Sequence, residues 1–334
     1  MQTFSLKEVN IHITPKGNFS EMKEINATRY FTKDGWSLTE AKEERVPDHD
    51  PCISFRSDSV DKFYKSKDIR VQEGSAISKK VVRAVNECVE EKVLNYVEYR
   101  GVRFAYAGDP SKIPTVVDFL RSLAKPYTQS RVFSLERITA ILDPEVTLHI
   151  FHHVMSLLRS DEPGLKLEER LSPYLTVIDD PLNQELVGFS VFDDEGVRTV
   201  KKELIGDGYV LEYLGTLTKG KPGNARGVIP RPDYFNLIVK GGDWELEELR
   251  EETKEGIIVS GVERSELMRK SIRIFPRRVT LLGKGDIIVR EIAIPLQELV
   301  TIDALSKEVR SAFIDEEHGG IAPYIRMMVR PIIY

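Results

Sequence analysis

The spacing of apolar positions divides the chain into a mixed first third and a strand-rich remainder. Residues 9–14 (VNIHIT) and 101–107 (GVRFAYA) alternate or run apolar with β-branched and aromatic side chains, which predicts strands. Between them, residues 32–70 are polar and charge-dense, include Asp48, Asp50 and Pro51, and predict loops and short irregular elements. From Ser78 onward, Val81, Val82, Val85, Cys88, Val89, Val93, Tyr96 and Val97 recur at three- and four-residue spacing, which predicts an amphipathic helix over 78–100. On that helix Cys88 reads as a core residue, because a reactive thiol needs a basic, partly exposed setting. A second helix, PTVVDFLRSLAK, carries Pro114 in its first turn and stops at Pro126. The stretch PYTQSRVFS, residues 126–134, reads as a linker.

Residues 135–142 (LERITAIL) predict a strand, and Asp143 can cap a helix that starts at Pro144. That helix, PEVTLHIFHHVMSLLRS, carries three of the six histidines. Beyond residue 171 come strand candidates YLTVID, GYVLEYLGTL, YFNLIV, IIVSGV, SIRIF, RVTLLG and DIIVREIAI, separated by Gly-, Asp- and Pro-rich turns. Short helices are expected only near 245–254 and 304–314. Strands joined by tight turns favour antiparallel pairing, so the expected class is α+β. We expect a smaller mixed N-terminal domain at 1–125 and a strand-rich, mostly antiparallel C-terminal domain at 135–334.

Composition narrows the partners. With 334 residues there is room for two domains. No apolar run reaches 18 residues, so no membrane span is expected, and the opening MQTFSLKEVNIHI lacks secretory-signal features. A cytoplasmic protein is the expectation. The net charge is -5 and Lys and Arg are dispersed, which argues against nucleic acid as a partner. Cys52 and Cys88 are the only cysteines; they exclude a disulfide framework and a zinc knuckle, leave room for one disulfide between them, and reduced thiols are the expectation.

Several segments then occur in a telling order. Asp143-Pro144-Glu145 opens the His152 helix, followed by SPYLTVIDDP (172–181) and FDDEGVRTVKKELIGDGYVLEYL (192–214). GNARG (223–227), PRPDYFNLIVKGGD (230–243), LEELREETKEG leading into IIVSG, and HGGIAPYIRM (318–327) complete the series. Together they resemble the TldD/PmbA family, described as modulators of DNA gyrase and as peptidases, over residues 135–334. The dispersed charge gives the gyrase name no support as DNA binding.

The resemblance implies a zinc site in TldD-like members, a His-Glu-x-x-x-His helix plus a later Cys, with the Glu as base for a metal-bound water. Here the first His is His152, the Glu position is His153, the second His position is Leu157, and the Cys position falls at His318. No cofactor is therefore expected; the alternative is zinc at a rearranged site of His152, His318 and either His149 or His153. His149 and His153, four apart, face the same way on a helix. Three readings stay open for these histidines: packing and hydrogen bonding, a metal site, or metal-free catalysis by His152 and His153. Asn224 and Arg226 of GNARG and Asn236 of YFNLIV are candidates for holding a peptide, against a plain loop and a satisfied structural amide. The acidic run Asp193-Asp194-Glu195 reads as a turn before Gly196 rather than a cation site.

Two functions follow from the resemblance. One is a peptidase-related enzyme. The other, favoured by the lost motif positions, is a PmbA-like subunit that binds peptide or protein beside a zinc-bearing TldD-like partner, or pairs with itself as a dimer. A non-enzymatic peptide-binding scaffold is the third.

Overall fold

The computed structural model describes residues 1–132 and 134–333; Phe133, in the expected linker, and Tyr334, at the end of the expected C-terminal domain, lie outside the described residues. Two sheets dominate, with α1 (Ile113–Leu123), α2 (Pro144–Ser156) and α3 (Leu246–Glu252) packed on them. The class is α+β. Among the described residues no helix is long and apolar enough to cross a membrane.

In the first sheet, Gln2–Thr14 pairs antiparallel with Gly17–Thr32 and with Ser75–Val85, which in turn pairs with Cys88–Tyr99. The helix expected over 78–100 is therefore a β-hairpin. Val81, Val85, Val89, Val93 and Val97 repeat every fourth residue, and a period of four also satisfies a period of two. The β-branched side chains favour the strand, and Asn86, at φ 51°, turns it. Val85 faces Cys88 across that turn.

The expectation of reduced thiols also fails: Cys52 and Cys88 form a disulfide with their Cα atoms 6.1 Å apart. The chain after Cys52 runs beside the second hairpin strand, where Phe55–Arg56 pairs with Glu90 and Glu91 and Val89 donates its N–H to Ser54 Oγ. That pairing brings the two sulfurs together.

The second sheet has eleven strands, and Gly319–Ile332 is its hub. It runs parallel to Asn236–Val239 and antiparallel to Glu291–Pro295, Ala304–Ser311 and Ile138–Leu142. Ile138–Leu142 also pairs with Ile257–Met268, so five strands close into a ring through Ser271–Leu281. The α2 helix packs on this ring, and its Val146, Leu148, Ile150, Phe151, Val154 and Met155 are fully buried. Two local expectations are corrected here. The segment 304–314 is mainly the strand Ala304–Ser311, drawn into the sheet by pairing with the hub. SIRIF and RVTLLG are one strand, which passes through Pro276 opposite Val262 at a register shift.

The sheets meet through apolar and ionic contacts. Val81, Leu94 and Ala105 pack with Val187 and Phe313, and Phe4 and Val85 with Phe189 and Phe192. Among them lies Arg83, buried, donating to Asp194 Oδ1 at 2.6 Å, to the Phe192 carbonyl at 2.5 Å and to Ser190 Oγ. It also lies 3.4 Å from Glu90, whose carboxylate accepts the Val191 N–H and pairs with Lys92 at 3.1 Å.

Removing one partner of a buried ion network strands the others, so Arg83→Ala is expected to cost about 3–5 kcal/mol. Urea denaturation of variant and wild type at one pH measures it, and a loss below about 1 kcal/mol, the surface-pair range, contradicts the assignment.

Candidate functional site

Between the sheets lies a cleft of about 550 Å³. Leu6, Val81 and Leu94 line it from the first sheet, and Gly188, Arg226 and Asp233 from the other side. At Gly188 a Cβ would stand 1.9 Å from the Phe235 carbonyl, so only glycine lets the backbone pass there.

The helix α2 carries three histidines, and the histidine cluster adjoins the cleft through Asp233 rather than lining it. Asp143 caps the helix by accepting the Val146 N–H at 2.9 Å, and Pro144 occupies its first turn. Helical geometry then gives the three rings different polar partners, although the His152 and His153 rings stay edge-to-face with centroids 5.1 Å apart. His149 Nδ1 and His153 Nε2, one turn apart, both meet Ser265 Oγ at 2.9 Å. His152 turns the other way, and its Nδ1 lies 2.7 Å from the Tyr234 hydroxyl.

His318 joins His152 there. Its ring stacks on Tyr234 with centroids 4.1 Å apart, and lies 5.7 Å from the His152 ring. His318 Nδ1 sits 2.8 Å from Asp315 Oδ2, and Nε2 is 3.3 Å from Asp233 Oδ2, an ion pair rather than an aligned hydrogen bond. Burial alone would lower the His318 pKa, but the two carboxylates outweigh it and raise it to about 9. Asp233 and Asp315, which burial would raise, are held below the usual carboxylate range chiefly by His318. His152 is shifted the opposite way: burial and then His318 lower its pKa.

Potential ligand atoms of His152, Asp315 and His318 lie within 4.8 Å of one another, the one such group of three among the described residues. Imidazole nitrogens and a carboxylate oxygen are donors that zinc accepts. The sequence pointed to His152 and His318, which do converge, and to His153, whose ring lies 5.1 Å from that of His152 but whose Nε2 meets Ser265 instead of this group. Leu157, at the second motif histidine, packs on the core and against Gly164. Asp315, Asp233 and Tyr234 were not singled out. Asp315 stands three residues before His318, and Asp233-Tyr234 lies inside PRPDYFN, so both signals were present but unweighed.

The other candidates are distributed differently. Arg226 reaches the cleft. Asn224 and Asn236 are fully buried. Asn224 donates to Asp179 Oδ2 and accepts from Lys202 Nζ, each at 2.6 Å, while Asn236 accepts the Gly188 N–H at 3.0 Å and donates to the Asp180 carbonyl at 2.9 Å. The acidic run is buried and occupied. Asp193 accepts the N–H groups of Glu195, Val197 and Ala225; Asp194 holds Arg83 and the Gly227 N–H; Glu195 holds Trp36 Nε1 and the Leu217 N–H.

Comparison with known proteins fits this layout. A profile described as the PmbA/TldA metallopeptidase C-terminal domain matches residues 136–328. The chain is similar to a metalloprotease of Methanocaldococcus jannaschii, 29% identical over 234 residues, covering 64% of this chain and 52% of that protein. It is also similar to a metalloprotease of Archaeoglobus fulgidus, 37% identical over 95 residues, 26% of this chain and 22% of that protein. The chain thus spans about half the length, or less, of these curated relatives. TldE from Thermococcus kodakarensis shares the fold at a TM-score of 0.67 and 13% identity, covering 100% of this chain and 96% of that one. A candidate modulator of a DNA gyrase from Thermotoga maritima does so at 0.64 and 14%, covering 99% and 94%.

His149 supplies a pH test. Burial, then His152 and His153, press its pKa down to about 3 from the ordinary 6.5. The folded state keeps it neutral while the unfolded chain takes up a proton below about 6.5, so its stabilisation is present above that pH and is lost as pH falls toward about 3. His149→Asn is expected to flatten the fall in unfolding free energy between about pH 6.5 and 4 relative to wild type, read from urea denaturation at a series of pH values.

Proposed function

We propose, given that this chain belongs to the TldD/PmbA family, that it is a peptide-binding subunit of a TldD/PmbA-type peptide-processing system without standard zinc catalysis of its own. One observation carries this reading: His153, at the position of the motif's general base, has its Nε2 engaged with Ser265 Oγ and, although its ring lies 5.1 Å from that of His152, is not among the converging donors of His152, Asp315 and His318. Burial and then His152 also hold its pKa down to about 4, a weak base for activating water.

The donor set fits a water-activating zinc poorly. Donors bonded at about 2.0–2.2 Å from one zinc lie roughly 3.5 Å apart, whereas here Asp315 Oδ2 sits 2.8 Å from His318 Nδ1, at hydrogen-bond distance, and 3.9 Å from His152 Nδ1. His318 Nδ1 and Asp315 are already spent on each other, and His152 Nδ1 on Tyr234. Leu157 offers no ligand. The cleft suits an extended peptide, entering between two units that we take as 1–125 and 135–334. Its partner in this reading is a TldD-like subunit bearing the full motif, or a second copy of the chain as a dimer; the likeness to TldE supports the first. Asn224 and Asn236 then shape the cleft from behind, through Asp179 and Gly188.

The second reading, a peptidase with metal on His152, Asp315 and His318, draws on the proximity of those three residues. Elemental analysis after zinc-replete purification separates the two. The proposal expects no stoichiometric zinc in wild type, His152→Ala or His318→Ala, and hydrolysis of an unstructured peptide only once a His-Glu-x-x-x-His subunit is added. One zinc per chain, lost in either variant, would overturn it.

A further inference from the structure

We infer that Arg226 and Arg231 form a carboxylate clamp in the cleft, so that the peptides this chain selects carry an acidic side chain or a free C-terminal carboxylate. The inference rests on the peptide-binding reading above and adds the chemistry of the ligand.

The clamp stands on a short ribbon in which Ala225–Arg226 pairs with Arg231–Pro232, and Arg226 is directly opposite Arg231. Like charges across an antiparallel pair destabilise it unless an anion lies between them. Both arginines line the cleft. Most other cations there are already matched, Arg83 and Lys92 by Asp194 and Glu90, Arg159 by both oxygens of Asp161 and Lys79 by Glu8, while Lys23 lines the cleft from the first sheet. Arg231 is exposed and makes no ion pair among the described residues.

The Arg226 head group is set in place beforehand. Its guanidinium lies over the Phe235 ring, 4.8 Å from the centroid, and Nη1 donates to the Tyr234 carbonyl at 3.2 Å. Its Nη2 meets only the carboxylate of Glu317, at 3.7 Å, beyond hydrogen-bond length and on a side chain 70% exposed. Such a loose surface pair is worth little. An incoming carboxylate can make short, paired N–H···O bonds to the guanidinium, and so displaces Glu317. Glu317 therefore marks the position as a tethered stand-in. The nearby Asp233 also faces Arg226 electrostatically, but its closer partner is His318, whose Nε2 lies 3.3 Å from Oδ2.

The test is fluorescence anisotropy on the full chain, with four labelled versions of one flexible peptide: Glu or Gln at the centre, each with a free or an amidated C-terminus. The peptide with both carboxylates is expected to bind most tightly, the Gln-amide most weakly, and the two intermediate peptides identify which carboxylate the clamp takes. Arg231→Gln, on an exposed side chain, and Arg226→Gln should each weaken the carboxylate peptides about ten-fold and leave the Gln-amide within about two-fold. Glu317→Gln should tighten the carboxylate peptides. Equal binding of all four peptides by wild type sinks the clamp and leaves peptide binding intact. An equal loss for charged and neutral peptides in Arg231→Gln also sinks it, as a structural effect. No binding of any peptide overturns this inference together with the reading it rests on.

Discussion

Two buried guanidinium groups tie the first sheet to the segment leading into the second: Arg29, which donates to the Asp194 and Val228 carbonyls, and Arg83, from which the wider network spreads. Arg83 stands on the first sheet, and the groups it satisfies, Asp194, Ser190 and the Phe192 carbonyl, stand on the segment that leads into the second. From that segment the constraint spreads. Asp194 also takes the Gly227 N–H, Asp193 takes the Ala225 N–H, and Asn224 ties the same loop to Asp179. Asp179 in turn accepts the N–H groups of Phe235 and Asn236, next to Tyr234, which meets His152. Cleft wall and histidine cluster are thus two ends of one hydrogen-bonded path.

That path carries an energetic burden. Burial raises the pKa of Asp179 and Asp193 to about 6 and that of Glu195 to about 7, with backbone N–H donors pulling each back. Carboxylates in such settings persist only when their oxygens are filled, and here they are. The segment FDDEG, which resembles any solvated acidic turn, is instead the place where the second sheet grips the first.

This explains what could and could not be read from residues alone. The cap at Asp143, the helix after it and the strand at Ile138–Leu142 obey local rules, and they were legible. So was the convergence of His152 and His318, through the order of the family-like segments. The hairpin at 78–100 was not, because valines every fourth residue fit both periods and the deciding turn is one asparagine. The strand at Ala304–Ser311 depends on a neighbour later in the chain. Asp233, Tyr234 and Asp315 become site residues only because packing aims them at one ring, His318. The disulfide likewise needs the run after Cys52 to lie beside the hairpin, a contact no spacing announces.

The hub strand Gly319–Ile332 has a consequence for how the molecule is made. All four strands it pairs with precede it in sequence, and one of them, Ile138–Leu142, does so by nearly two hundred residues. Until it arrives, the five-stranded ring is open, and the apolar faces around α2 have no lid. Contacts of such long range make folding slow and leave edges exposed on the ribosome. Because His318 and Asp315 lie just ahead of this strand, the residues that complete the histidine cluster and the strand that closes the ring are set in place by the same stretch of chain.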